Sequence, residues 1–159
     1  MHPTARSVRF DGTLLRRGFW LYAWKIVAGS RTVFYVGRTG DSSSNNAASP
    51  FNRIGTHLDA RPNAKANSLT RRLLETGLKP EECQFHMAAV GPLFPEQADF
   101  AAHCPVRDLM ASLEHRVASH FRDRGYEVLG VHTATGTVNH ELAAHVIQEL
   151  ESALNASDA

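Results

Sequence analysis

Residues 19–28, Phe-Trp-Leu-Tyr-Ala-Trp-Lys-Ile-Val-Ala, form an almost unbroken run of aromatic, aliphatic and β-branched side chains. Such a run suits a strand. Gly29-Ser30-Arg31 interrupts it as a turn, and Thr32-Val33-Phe34-Tyr35-Val36-Gly37 resumes it, so the pair reads as a β-hairpin. Residues 84–90 read as a third strand, and Tyr126-Glu127-Val128-Leu129 as a short extended piece.

Elsewhere the apolar positions recur at helical steps. Ser49-Pro50 sets a capping hydroxyl before a proline at the first helical position, which predicts a helix over about 50–59. Ser68 opens a second, with Leu69, Leu73 and Leu74 on one face and Gly77 as its stop. Leu109, Met110, Leu113, Val117 and Phe121 predict a long helix over 106–124, closed by Gly125. Leu142, Val146, Leu150 and Leu154 predict a last one over 138–154. Together these elements predict an α/β (α+β) fold: a small, mainly antiparallel three-stranded sheet flanked by helices. Residues 1–17 read as a polar, basic arm, 18–130 as the main domain, and 131–159 as a helical extension packed on it.

A chain of 159 residues fits one domain, and a hydrophobic share of 43% is enough for an ordinary core, which argues against global disorder. No apolar run approaches the ~18 residues of a membrane span, and no apolar signal core follows the N-terminus, so a cytoplasmic protein is expected. The formal net charge of +1 argues against a strongly basic coat protein but leaves room for a local basic cleft. Cys83 and Cys104 are too few for a disulfide framework. Cys83, His86, His103 and Cys104 fit no tight zinc spacing, and Cys83 and His86 differ in strand parity.

Three features carry possible chemistry. Arg53 and His57, four apart, share a helix face, joining a planar phosphate-binding fork to a group that moves protons near neutral pH. Glu114 falls at the margin of the long helix's apolar stripe, where a carboxylate could hold a divalent cation. Tyr22 and Tyr35 lie on adjacent strands, and Gly37 would admit a close approach before Arg38. Singly, each is ordinary: a boundary glutamate, an exposed basic face, amphipathic core tyrosines.

In sequence order they form a set that resembles the GIY-YIG nuclease family. Trp20-Leu21-Tyr22 stands for the first strand triplet and Tyr35-Val36-Gly37 for the second; Arg53-Ile54-Gly55-Thr56-His57 matches the arginine–histidine helix and Leu113-Glu114 the glutamate helix. The first triplet keeps only its tyrosine, the Ser/Asn-rich loop after Gly37 is an insertion, and Glu127 stands where an asparagine is common. The resemblance implies a GIY-YIG-like fold over residues 18–130 and a divalent-metal-dependent endonuclease acting on DNA. It implies catalytic Tyr22, Tyr35, Arg53, His57 and Glu114, with Mg²⁺ or Mn²⁺ held by Glu114. Tyr22 would be the general base, its phenolate favoured by Arg53, Arg38 or the metal, and Tyr35 would position water or phosphate.

Gly37, Arg38, Ser42, Ser43 and Asn45 are expected to contact substrate, and Arg31, Lys65, Arg71 and Arg72 could extend the phosphate-binding surface. A homodimer or separate partner would supply specificity; no membrane partner is expected. Two other readings stay open: a nucleic-acid-binding module of the same fold without turnover, and a structure-specific repair or processing nuclease.

Overall fold

The computed structural model describes residues 4–134 and 136–156. Strands β1 (Phe19–Ala28) and β2 (Arg31–Arg38) form the expected antiparallel hairpin. Their two-residue turn, Gly29-Ser30, is closed by the Ala28↔Arg31 pair, with Gly29 at a φ of +58°. Two helices follow, α1 (Pro50–His57) and α2 (Ser68–Glu75). Strand β3 (Gln84–Phe94) then pairs antiparallel with the other edge of β1. After it come α3 (Phe100–Asp123), β4 (Glu127–Leu129) and α4 (His140–Asn155).

The sheet has four strands, in the order β3-β1-β2-β4, rather than the three expected from the sequence. The added strand, β4, runs parallel to β2 in the register Val33↔Glu127, Phe34↔Val128 and Tyr35↔Leu129, so the sheet is mixed. Three residues are too few to display a strand period, which is why 126–129 read only as extended. Gly125, at a φ of +84°, ends α3 and returns the chain to the sheet. Helix α3 also begins earlier than predicted, at Phe100, capped by Asp99, whose carboxylate accepts from Ala102 N at 2.9 Å; the helix carries Pro105 inside. Pro105 lacks an N–H and interrupts the bonding that otherwise marks a helix interior.

The central position of β1 explains its lack of alternation. Phe19, Leu21 and Ala23, with Phe34 and Val36 of β2, face α3 and α4, meeting Met110, Leu113, Val117, Phe121, Val146 and Leu150. Tyr22, Trp24 and Ile26, with Val33 and Tyr35, face the opposite way, toward Leu69 and Leu73 of α2 and Ile54 of α1. A strand covered on both faces needs apolar residues at every position. Because β4 pairs only with Val33–Tyr35, the edge of β2 at Gly37-Arg38 is left without a neighbouring strand. There, side chains from both helical layers can meet. The C-terminal helix packs on β3, β1 and α3, and Ala143, Val146, Ile147, Leu150 and Leu154 of it are buried. Among the described residues no helix is long and apolar enough to cross a membrane.

Candidate active site

A depression of about 200 Å³ opens at this uncovered end of β2. Tyr22, Tyr35, Arg53, His57 and Glu114 all line it, together with Gly37, Arg38, Asp41, Ala66 and Ser68. Each comes from a different structural cause. The hairpin register sets Tyr22 opposite Gly37, and a Cβ on Gly37 would lie 2.5 Å from the Tyr22 ring. Only glycine leaves the ring its place. Ser49 caps α1 by accepting from Asn52 N at 3.2 Å, with Pro50 at the first helical position, so Arg53 and His57 turn to the sheet one helical step apart. Helix α2 is tied to the end of α1: Thr70 Oγ1 donates to His57 O at 3.1 Å, and Asn67 Nδ2 to Asp59 O at 3.0 Å. Glu114 reaches the depression from α3, from its place beside buried Leu113 and Ala111.

His57 is 4% exposed and held on both ring nitrogens. Its Nε2 lies 2.7 Å from Tyr22 Oη and its Nδ1 2.8 Å from Ser68 Oγ. Ser68 Oγ is in turn 3.2 Å from Tyr35 Oη, and the Tyr22 hydroxyl also lies 3.3 Å from Arg38 O. Burial first, and the nearby Arg53 guanidinium second, lower the His57 pKa from 6.5 to about 4. The ring is neutral at physiological pH, and its surroundings disfavour a second proton on it. Burial raises the Tyr22 pKa well above 10, outweighing Arg53, which acts the other way. The expected stabilisation of a free Tyr22 phenolate by arginine is therefore overcome by desolvation, and the neutral hydroxyl rests against His57 Nε2. Burial also raises the Tyr35 pKa.

The charged groups stand as two pairs. Arg38 Nη1 bonds Glu114 Oε2, and Arg53 Nη2 bonds Asp41 Oδ1. Burial raises the Glu114 pKa, opposed by Arg38. Arg38 Nε and Arg53 Nε are both buried without a hydrogen-bond partner. A buried guanidinium with an unanswered N–H is a donor for an incoming oxyanion. As to a cation, a hard divalent ion takes one or two carboxylates plus waters and substrate oxygens. Glu114, with Asp41 on the same depression, fits that donor set, although no group of three or more His, Cys, Asp or Glu forms a cage among the described residues.

Other sequence expectations lie elsewhere. Ser42, Ser43 and Asn45 do not line the depression: Ser42 Oγ bonds within its own loop to Ser44 O at 3.1 Å, and Asn45 Nδ2 bonds Gln97 O at 3.2 Å. The inserted loop instead contributes Asp41. Arg31 is engaged with Glu127, at 2.6 Å, and with Thr76 O, at the hairpin-turn end of β2 and not at the Gly37 end. Glu127 therefore stands away from the site, and the chain that nears it after β4 is Val131-His132-Thr133, which lines an adjoining depression with Arg38, Asp41 and Glu114. Lys65 and Arg61 line a wider depression, about 800 Å³, that shares Ala66 with the site. Asp41 and Ser68 were missed in the sequence: one sits in a Ser/Asn-rich stretch, the other resembles an ordinary helix-start serine.

The buried neutral histidine makes stability depend on pH. Unfolded chain protonates a histidine near 6.5, whereas folded His57 resists until about 4. Between those values the unfolded state binds more protons, so stability falls as pH drops from about 6.5 to about 4. This contribution is about 3 kcal/mol across the window. Urea denaturation at pH 7 and pH 4 should show that loss reduced by about that amount in His57→Gln; an equal loss in both proteins would place the titration elsewhere.

No protein-family model, no curated protein and no solved structure matches the chain.

Proposed function

We propose that the chain is a divalent-metal-dependent endonuclease that hydrolyses phosphodiester bonds in DNA, of the GIY-YIG type that its ordered motifs resemble. The observation that carries this reading is the meeting, in one depression, of two half-buried arginines whose Nε–H groups are buried and unanswered, a carboxylate and a hydrogen-bonded tyrosine–histidine pair. Arginine forks answer phosphate oxygens, and a phosphate entering between Arg38 and Arg53 exchanges with the Glu114 and Asp41 carboxylates that hold them. The attacking water gives its proton to Tyr22 Oη while Tyr22 passes its own to His57 Nε2, so no free phenolate is needed. Tyr35, which lines the same depression, orients water or phosphate. Glu114 would hold Mg²⁺ or Mn²⁺, which when bound supplies positive charge to the phosphate and the leaving 3′ oxygen. The P–O3′ bond breaks as the water oxygen bonds to phosphorus, the leaving 3′ oxygen takes a proton from solvent, and products carry 5′-phosphate and 3′-hydroxyl ends. The wider depression bearing Arg61 and Lys65 supports a longer nucleic-acid path beside the site.

A second reading, a binding module without turnover, draws support from the burial of Tyr22, which holds its proton tightly. One experiment separates the two. Pure protein is incubated with plasmid, branched DNA and RNA, with Mg²⁺, Mn²⁺ or EDTA. Metal-dependent cutting of DNA is expected; preference for the branched form would mark a repair or processing nuclease. Retention of nucleic acid in a mobility shift with no cutting under any metal would leave the binding module.

A further inference from the structure

Ser68 belongs to none of the motifs that suggested a nuclease, yet it sits between two of their members. It is the first residue of α2, and its Oγ lies 2.8 Å from His57 Nδ1 and 3.2 Å from Tyr35 Oη. With Tyr22 Oη 2.7 Å from His57 Nε2, the four side chains form one unbroken line of hydrogen bonds from Tyr22 to Tyr35. We propose that Ser68 is a positioning residue that joins His57 to Tyr35 and makes the two tyrosines the ends of a single proton path.

Every member of the line except the ring is a hydroxyl, which both donates and accepts, and a neutral imidazole donates at one nitrogen while accepting at the other. The line can therefore be polarised in either direction with each link satisfied. With Tyr22 donating to His57 Nε2, the Nδ1–H donates to Ser68, Ser68 to Tyr35, and Tyr35 to the depression. As water attacks, its proton goes to Tyr22 Oη and the Tyr22 proton to Nε2. The Nδ1 proton goes to Ser68 Oγ, the Ser68 proton to Tyr35 Oη, and the Tyr35 proton to solvent in the depression. One proton enters, one leaves, and each group keeps its charge.

The need for such a path follows from the surroundings of His57. The ring is 4% exposed, and the Arg53 guanidinium lies nearby. A second proton left on it would be a buried cation beside another cation. A hydroxyl on the far nitrogen lets the proton move through without staying. Ser68 suits that task because its backbone is fixed: Thr70 Oγ1 bonds His57 O and Asn67 Nδ2 bonds Asp59 O, so α2 and the end of α1 move together. The Ser68 side chain does not cap its own helix, and the cap residue Asn67 makes no side-chain bond to the first turn. Ser68→Ala removes the link and leaves the helix ties in place.

The inference rests on the nuclease reading, and single-turnover cleavage in mixtures of H₂O and D₂O tests the two apart. Wild type is expected to give a bowed dependence of rate on deuterium fraction, because several protons move together. Ser68→Ala is expected to cleave about 10- to 100-fold more slowly with unchanged KM and a straight dependence. Tyr35→Phe, which removes the far end, is expected to straighten it too, and Ser68→Thr, which keeps the hydroxyl, to recover the bow and most of the rate. Cleavage by Ser68→Ala at the wild-type rate, or slow cleavage that keeps the wild-type bow, would overturn the relay while leaving the nuclease intact. A wild type that cuts no substrate would overturn the nuclease reading and the relay with it.

Discussion

Glu114→Gln is expected to abolish metal-dependent cleavage while the protein remains folded. The substitution keeps the side chain's length and the helix it stands on, and a glutamine Oε1 still accepts from Arg38 Nη1. What it removes is the negative charge that a hard divalent cation prefers to a neutral amide. Glu114 is poorly placed to hold that charge in isolation: its side chain is 17% exposed, and burial raises its pKa despite Arg38. A bound cation would therefore relieve a carboxylate that the fold has partly dehydrated, and affinity should rise with pH as the proton leaves. Calorimetric titration of Mn²⁺ in the presence of a phosphodiester analogue is expected to show weaker binding in the variant at every pH. The expected loss of rate is about 100- to 1000-fold, the usual scale for one removed electrostatic contact. Cleavage by Glu114→Gln at the wild-type rate would show the metal site to be wrongly assigned.

The sequence makes the hairpin and the helix carrying Arg53 and His57 easy to read, because each has a local signature. Residues 19–28 are apolar enough to be a strand in any context, and Ser49-Pro50 marks a helix start by capping chemistry alone. Strand β4 has no such signature: it exists because Gly125 turns the chain beside an unfilled edge of β2, and pairing with a distant strand leaves no trace in three residues. The same distinction runs through the site. Tyr22, Tyr35, Arg53, His57 and Glu114 are chemically distinctive and lie in a recognisable order. Ser68 and Asp41 gain their place through contacts across 11 and 12 positions of irregular or turning chain, to His57 and Arg53. A serine at a helix start and an aspartate in a polar loop are ordinary in themselves. Ser42, Ser43 and Asn45 illustrate the converse: polar and near the motif in sequence, none of them lines the depression, and Ser42 bonds within its own loop while Asn45 bonds to residues 97–98.

Arg53→Ala should also stop turnover, but by a route that leaves the metal in place. Arg53 is a largely buried cation whose Nη2 bonds Asp41 and reaches Arg38 O at 3.3 Å, and whose Nε has no partner. In the transition state the phosphoryl oxygens carry the most charge, and a preformed guanidinium answers it without reorganising. Its loss is expected to cost about 3–4 kcal/mol, or about 100- to 1000-fold in rate, with Mn²⁺ affinity little changed. Arg53→Lys should recover only part of the rate, because a point charge cannot reproduce the planar fork. Asp41, left without its arginine, has a side chain that is 44% exposed and can be rehydrated, so the fold should tolerate the change. A second reading needs no substrate at all. Arg53 helps to lower the His57 pKa to about 4, so removing it should move that pKa upward, toward the ordinary histidine value. Nuclear magnetic resonance titration of the His57 ring in wild type and Arg53→Ala measures this directly. A His57 titration unmoved by the loss of Arg53 would mean that burial alone sets it, and the arginine would then have no electrostatic hold on the tyrosine–histidine pair.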